Sequence, residues 1–429
     1  MPSPEILLRV PTAGLIGLPW ELPLAQWCVP DVPLCDIAVG PSRHLVKFVE
    51  TDGAVWALKE LPPPLAVHEY EALRHLENLG LHAVRPAGRV AQPDLGTSIL
   101  VTRYLAGSWQ YRRLFTRLGP NQPRQRSRLY DAMASLLVDL HRYGVFWGDC
   151  SLANTLFSRD GQRLQAWLVD AETAETHDAL SDGQREHDLS IMVENVAAGL
   201  IDGAARLGRP PELYPTLVDE ALGIRDRYDE LWSILHAEPV FGFGDRYRVE
   251  SVVRRLNDLG FVVDEVEMSA QSAGDSDGVR LHVGVGDRRF HADRLQRLTS
   301  LDVGDGQAAI LLGDVDAYRT QLISETGEDV DETTAGQLWW REMALPNMHR
   351  AHGAVGRHGT AIQAYCDLLE VRYLLSEEAG HDVGTEIALH ALATGRTPAH
   401  SAAQMVVAET PTAEIDMTAL MRDSFDGSV

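Results

Sequence analysis

The sequence predicts an α+β fold laid out in successive pieces, and three observations carry that reading. Two strands around Asp52-Gly53, His44 to Val49 and Val55 to Leu61, are followed by a helix over residues 65–79. A long amphipathic helix over 126–143 then leads into a small apolar hairpin, Thr155 to Ser158 and Gln165 to Val169, turning at Asp160-Gly161. After about residue 240 the order of elements begins again, and the chain of 429 residues is too long for one ordinary core.

Residues 5–36 are rich in apolar residues, Pro and Trp and read as an extended segment lying on the body of the protein. Pro62-Pro63-Pro64 ends the second strand, and Gly80 closes the helix that follows. Ser98 to Thr102 reads as a short buried strand. In the long helix Leu129, Met133, Leu136, Leu137 and Leu140 make one apolar stripe, with Gly144 placed to cap it. Residues 186–236 are mostly helical in pattern. Beyond them, 246–258 reads as a helix, Phe261 to Val263 and Val279 to Val285 as strands, and 269–278, rich in Ser, Gly and Asp, as a loop. Helices are expected at about 306–323, 334–343 and 361–379. The expected organisation is a wrapping segment over 1–35, a first domain over 36–238 and a second α+β domain over 240–408. The first domain has a β-rich lobe at about 36–102 and a helical lobe at about 106–238, and 409–429 reads as a disordered polar tail.

Composition narrows the function classes. The hydrophobic share of 45% and charged share of 23% are those of a globular protein. A net charge of -24 argues against a general nucleic-acid binder, which needs a positive footprint for phosphates. No apolar run reaches the roughly 18 residues of a membrane span, and Met1-Pro-Ser-Pro-Glu does not read as a signal peptide. Cys28, Cys35, Cys150 and Cys366 fit no zinc spacing and read as free thiols in a cytoplasmic protein, Cys150 as a small packing residue.

Several residues have the chemistry that phosphoryl transfer needs: a cation for phosphates, oxygen donors for a metal, and a carboxylate for the acceptor hydroxyl. Strand alternation puts Val55, Ala57 and Lys59 on one face, so that a small wall stands beside an ammonium. On the next helix Glu69 shares a face with Ala72, Leu73 and Leu76, and a carboxylate there needs a cationic partner. Glu69 is therefore the expected partner of Lys59, with Glu71 as the alternative. Asp149 and Asn154 lie five residues apart on one loop, and Asp170 follows sixteen residues later at the end of the hairpin.

The ordered set resembles the protein-kinase-like superfamily, and within it the lipopolysaccharide kinase (Kdo/WaaP-like) branch. The resemblance covers roughly residues 36–235 and rests on Trp147-Gly148-Asp149-Cys150-Ser151-Leu152-Ala153-Asn154 and Val169-Asp170-Ala171-Glu172. With Gly40-Pro41-Ser42-Arg43-His44 and Arg254-Arg255-Leu256-Asn257-Asp258-Leu259-Gly260-Phe261, the whole chain resembles an uncharacterised actinobacterial family that joins such a half to a C-terminal domain of unknown function (DUF4032-type). The resemblance implies a bilobal kinase-like fold and ATP and Mg2+ as cofactors. By it, Lys59 contacts the phosphates, Glu69 anchors Lys59, Asp149 is the base, and Asn154 and Asp170 hold Mg2+. It also makes Thr102 to Leu105, with Tyr104, the hinge that receives adenine, against Ala57. Asp188 would support the Asp149 loop. The chain departs from the pattern at Trp147, where most kinases carry His or another polar residue, at Ala171-Glu172 after Asp170, and in a glycine loop reduced to Gly40.

The expected function is an ATP- and Mg-dependent phosphotransferase acting on a hydroxyl of a small-molecule, sugar or lipid-linked acceptor. Trp147 and the reduced glycine loop point to an alternative, a nucleotide-binding scaffold without turnover. Glu172 reads as a solvated loop glutamate, with an extra metal ligand as the other reading. Arg112, Arg113, Arg117, Arg124, Arg126 and Arg128 make a basic cluster that suits an anionic acceptor or a solvated face. His349, His352 and His358 lack the company of a metal site, and Trp339-Trp340 read as core. A protein partner or a second copy is expected to use the C-terminal domain.

Overall fold

The structure, a computed structural model, describes residues 3–37, 43–111, 114, 123–238, 240–241, 246–273, 276–398 and 401–405. Its contacts divide the chain into two units. The first comprises residues 1–122, 129–158 and 165–228, and the second comprises 123–128, 159–164 and 229–429. Each has its own hydrophobic core.

The first unit opens with strand β1 (Glu5–Leu8), short helix α1 (Ala13–Ile16) and strand β2 (Leu34–Cys35). Then come β3 (Val46–Thr51), β4 (Ala54–Leu61), helix α2 (Pro63–Asn78), β5 (Pro86–Gln92) and β6 (Thr97–Arg103). The six strands form one sheet in the order β1-β5-β6-β4-β3-β2. The N-terminal segment is thus more than a wrapping: it supplies both edge strands. Its Leu15, Trp20, Leu24, Trp27 and Val32 pack with Val49, Trp56, Leu58, Val90, Ile99 and Val101 in one core. Trp20 and Trp27 meet edge to face with ring centroids 5.3 Å apart. The β3–β4 turn needs positive φ at both Asp52 and Gly53, which suits the Asp-Gly pair found there.

Past β7 (Ser108–Gln110) the chain becomes helical, with α3 (Pro123–Arg142), β8 (Val145–Phe146), β9 (Thr155–Asp160), β10 (Arg163–Leu168), β11 (Glu175–Thr176), α4 (Asp182–Arg206) and α5 (Tyr214–Leu235). Met133, Leu136, Leu137 and Leu140 of α3 are completely buried. Gly144, at φ 72°, follows α3, and a Cβ there would lie 2.0 Å from the His177 carbonyl, so only glycine fits. Helix α4 starts in a capping box between Ser181 and Gln184.

The second unit contains β12 (Val240–Phe241), α6 (Arg246–Asp258), the ribbon β13 (Val263–Ala273) and β14 (Ser276–Val285), α7 (Phe290–Thr299), α8 (Asp305–Thr326), α9 (Glu332–Trp339), α10 (Leu345–Ala354), α11 (Ala361–Ala379) and α12 (Gly384–Thr394). A π-helical turn, Trp340–Ala344, joins α9 to α10. The expectation of a loop at 269–278 is overturned: Ala270↔Val279, Gln271↔Gly278, Ser272↔Asp277 and Ala273↔Ser276 are cross-strand pairs. Composition misled there because a two-stranded ribbon is held by backbone hydrogen bonds that polar residues supply as well as apolar ones. Trp339, fully buried, and Tyr365 both donate to the carboxylate of Asp314, each at 2.6 Å, inside the helical core. Among the described residues no helix is long and apolar enough to cross a membrane.

Candidate active site

The site grows from β4. Trp56 and Leu58 are buried in the sheet's core, so alternation leaves Ala57 and Lys59 for the opposite face. Helix α2 runs beside that face, started by Pro63 and Pro64 in its first turn. It presents Glu69, which is 1% exposed. Lys59 Nζ lies 2.9 and 3.1 Å from the two Glu69 oxygens, 2.8 Å from Asp170 Oδ2 and 4.0 Å from Glu172 Oε2. Glu71, by contrast, is exposed and lies 3.6 Å from Arg74.

Glu172 is not a solvated loop glutamate. Its side chain is 14% exposed and its Oε2 lies 3.2 Å from His44 Nε2. The cause is local: its own N–H donates to Asp170 Oδ1 at 3.1 Å, a turn that folds residue 172 back towards Lys59. Glu69, Asp170 and Glu172 offer oxygens that all lie within 4.8 Å of one another. Three carboxylates thus share one ammonium. Burial, then the charge of Asp170, pushes the Glu69 carboxyl up to about 7, although Lys59 pulls the other way. Burial by itself would lower the Lys59 ammonium, but Glu69 and Asp170 outweigh it and hold the group above its ordinary value. The surplus negative charge and the all-oxygen donor set are what a hard divalent cation such as Mg2+ accepts.

The loop from Trp147 to Asn154 lies on a buried carboxylate. Asp188, fully buried on α4, accepts from the N–H groups of Trp147 at 2.7 Å and Gly148 at 2.9 Å, from Cys150 Sγ at 3.1 Å, and from His141 Nε2 at 3.1 Å. His141 Nδ1 then accepts from the Tyr228 hydroxyl at 2.8 Å, which makes this imidazole neutral with its proton on Nε2. Burial lowers His141, and Asp188 only partly offsets it. Burial alone would raise Asp188, but its donors, led by His141, hold it below its ordinary value. The Cys150 thiol is completely buried and burial pushes it well up, so it is a packed and inert group.

Asp149 is oriented by two amides. Asn154 Nδ2 donates to Asp149 Oδ2 at 3.0 Å and to the Asp149 carbonyl at 3.1 Å. Asn195 Nδ2 lies 3.4 Å from Asp149 Oδ1 and donates to the Cys150 carbonyl at 3.1 Å. The sequence reading missed Asn195, yet it sits two helical turns after Asp188 on the same face of α4, which is the signal that marks it. The Asn154 carbonyl accepts the N–H of Val169 at 3.1 Å, tying this loop to the strand end before Asp170. The amide of Asn154 is thus turned to Asp149, while the carboxylates gathered with Asp170 are Glu69 and Glu172.

Trp147 joins the two halves. Its fully buried indole donates from Nε1 to the Asp170 carbonyl at 3.1 Å, and its own carbonyl accepts from Thr173 Oγ1 at 2.8 Å. A tryptophan N–H therefore braces this loop where most kinases use histidine or another polar side chain.

At the strand end, Ala57 pairs with Thr102. The Tyr104 N–H donates to the Val55 carbonyl at 3.0 Å, and its ring packs edge to face on Phe48 at 5.6 Å. The Leu105 carbonyl accepts from Ser108 Oγ at 2.7 Å. Gly40, Arg112, Arg113, Arg117 and the tail 409–429 lie outside the described residues, as does the side chain of Arg124. Arg126 is buried and Arg128 half-buried, so neither belongs to a solvated basic face. His352 Nε2 is 3.2 Å from the Gly359 carbonyl, and no cluster of metal ligands includes His349, His352 or His358 among the described residues.

Two family models divide this chain. Residues 53–202 match the lipopolysaccharide kinase (Kdo/WaaP) family, and residues 230–394 match the domain of unknown function DUF4032. A curated relative is the lipopolysaccharide core heptose(I) kinase WaaP of Pseudomonas aeruginosa, 31% identical over a 151-residue alignment that covers 31% of this chain and 53% of that protein. The chain therefore spans about half the length of that relative. Among solved structures, WaaP in complex with acyl carrier protein is 20% identical, with a TM-score of 0.31, over 44% of this chain and 85% of that one. The kinase domain of Mycobacterium tuberculosis PknI, a double mutant, is 17% identical, with a TM-score of 0.28, over 43% and 89%.

Proposed function

We propose that the first unit is an ATP- and Mg-dependent phosphotransferase acting on a hydroxyl of a small-molecule, sugar or lipid-linked acceptor. The observation that carries this reading is the convergence of Lys59, Glu69 and Asp170, within 3.1 Å, beside a loop whose Asp149 is held by Asn154. The match of residues 53–202 to the lipopolysaccharide kinase (Kdo/WaaP) family supports the acceptor class.

In this reading Lys59, fixed by Glu69, holds the phosphates of the nucleotide, and adenine stacks against Ala57 beside Thr102. The Tyr104 N–H is committed to the Val55 carbonyl and is therefore not a donor to the base. Asp149 takes the proton of the acceptor hydroxyl. The acceptor oxygen then bonds to the γ-phosphorus as the bond from that phosphorus to the bridging oxygen breaks, and ADP leaves. Asp170, with Glu172 and the nearby Asn154, would hold magnesium, which supplies charge neutralisation for the phosphates. The reading without turnover had two grounds, Trp147 and the reduced glycine loop; the indole bond to the Asp170 carbonyl bears on the first, and Gly40 lies outside the described residues.

The test is incubation with ATP and a panel of sugars and lipid-linked sugars, with products read by mass, for wild type and Asp149→Asn. A phosphate-sized addition in wild type that falls about 10²–10⁴-fold in the variant, at unchanged nucleotide affinity, is expected. An AMP-sized addition, or equal turnover in the two proteins, contradicts it.

A further inference from the structure

The hairpin β9–β10 carries a candidate site residue at each end, because Asn154 immediately precedes Thr155 and Asp170 lies two residues after Leu168. A hairpin turn is ordinarily a solvated place. Here residues 159–164, the turn and its flanks, belong to the second unit and are bound there in detail.

Arg159 makes a two-pronged ion pair with Asp367 of α11, at 2.8 Å from Nη1 to Oδ2 and 2.6 Å from Nη2 to Oδ1, with both side chains at least 96% buried. Gln363 of α11 mimics a strand partner for Gly161: the Gly161 N–H donates to Gln363 Oε1, and Gln363 Nε2 donates to the Gly161 carbonyl, each at 3.0 Å. Asp160 caps helix α8 from outside it, accepting the N–H groups of Gly306 and Gln307 at 2.8 Å each. The N-cap position itself is Gly304, which has no side chain to do so. The glycines make room: a Cβ on Gly304 would meet Asp160 Oδ1 at 2.2 Å, and one on Gly306 would meet the Asp160 carbonyl at 2.4 Å. A buried ion pair adds little net stability over apolar packing, so its use here argues for a fixed position of the turn.

We propose that the second unit acts as a positioning device for the site, setting the spacing of Asn154 and Asp170 by holding the turn of the hairpin that joins them. Six-residue strands of about 3.3 Å per residue place the turn roughly 20 Å from the hairpin's ends, and a paired ladder transmits a shift along that length. This rests on the reading of Asn154 and Asp170 as nucleotide-site residues; the coupling itself does not. A ligand of the second unit that loosens or tightens α11 would then regulate the first unit's chemistry.

The test is hydrogen exchange with mass readout on the full chain without nucleotide, comparing wild type with Gln363→Ala and Gly306→Ala. Expected is an acceleration of about tenfold at peptides covering 147–156 and 168–174, including the Val169 N–H, with α2 unchanged. Acceleration confined to 159–164 and the second unit overturns the proposal. If one variant exchanges globally, it has unfolded, and the other decides. A second arm titrates Mg-ATP into the same proteins, with affinity expected to fall about tenfold in the variants. Equal affinities overturn the link to the site, whereas absence of binding in wild type overturns the nucleotide reading and leaves the exchange result to decide the coupling.

Discussion

Replacing Glu69 by Gln tests the electrostatics of the site most sharply. Burial, with the charge of Asp170 second, pushes the Glu69 carboxyl from its ordinary 4.5 up to about 7 in the folded protein. The folded state therefore keeps a proton on Glu69 between pH 4.5 and about 7 that the unfolded chain gives up. Because this folded value is raised, the associated stability is fully present below pH 4.5 and is lost as pH rises through about 7. A shift of that size corresponds to a loss on the order of 3 kcal/mol across the window. Glutamine keeps the shape and a hydrogen-bonding oxygen for Lys59 but does not titrate, and Lys59 retains Asp170 at 2.8 Å. The assay is pulsed hydrogen exchange in a urea series on the full chain without nucleotide, at pH 5 and pH 8, read on peptides from β3, β4 and β6. The wild-type sheet should lose about 2.5 kcal/mol more than the variant between the two conditions. Parallel losses would refute the claim that burial, with the charge of Asp170 second, holds this carboxyl above its ordinary value.

Other outcomes follow from the same geometry. Trp147→Phe keeps an aromatic ring but removes the donor to the partly buried Asp170 carbonyl, so thermal unfolding should show a cost of about 0.5–1.5 kcal/mol, and turnover should drop with it. Native alkylation with iodoacetamide should label exposed Cys28 and spare Cys150, which becomes reactive only in denaturant. Equal labelling of the two would contradict the burial of Cys150.

Much of the Lys59 and Glu69 arrangement was legible because it depends on local periodicity: period two on the strand and 3.6 on the helix put both side chains on faces that the residues themselves announce. Glu172 was misread because a single side-chain-to-backbone turn at Asp170, invisible to periodicity, reverses its direction. Trp147 looked like a loss because the pattern recognises residue types, whereas the loop needs only an N–H aimed at one carbonyl. Asn195 was available from helical spacing but belongs to no motif. Arg159 and Asp160 were hidden most deeply, since their partners lie 208 and 146 or more residues away in sequence. The strand pairing of 269–278 failed for the opposite reason, that backbone ladders tolerate the polar residues that composition assigns to loops.

The central claim is that the first unit holds a magnesium-dependent nucleotide site built on Asp170. Isothermal titration of ATP, with and without Mg2+, into wild type and Asp170→Ala tests it directly. Magnesium-dependent binding in wild type that disappears in the variant is the predicted result. Absence of binding in both proteins, or equal binding regardless of magnesium and of Asp170, would contradict it.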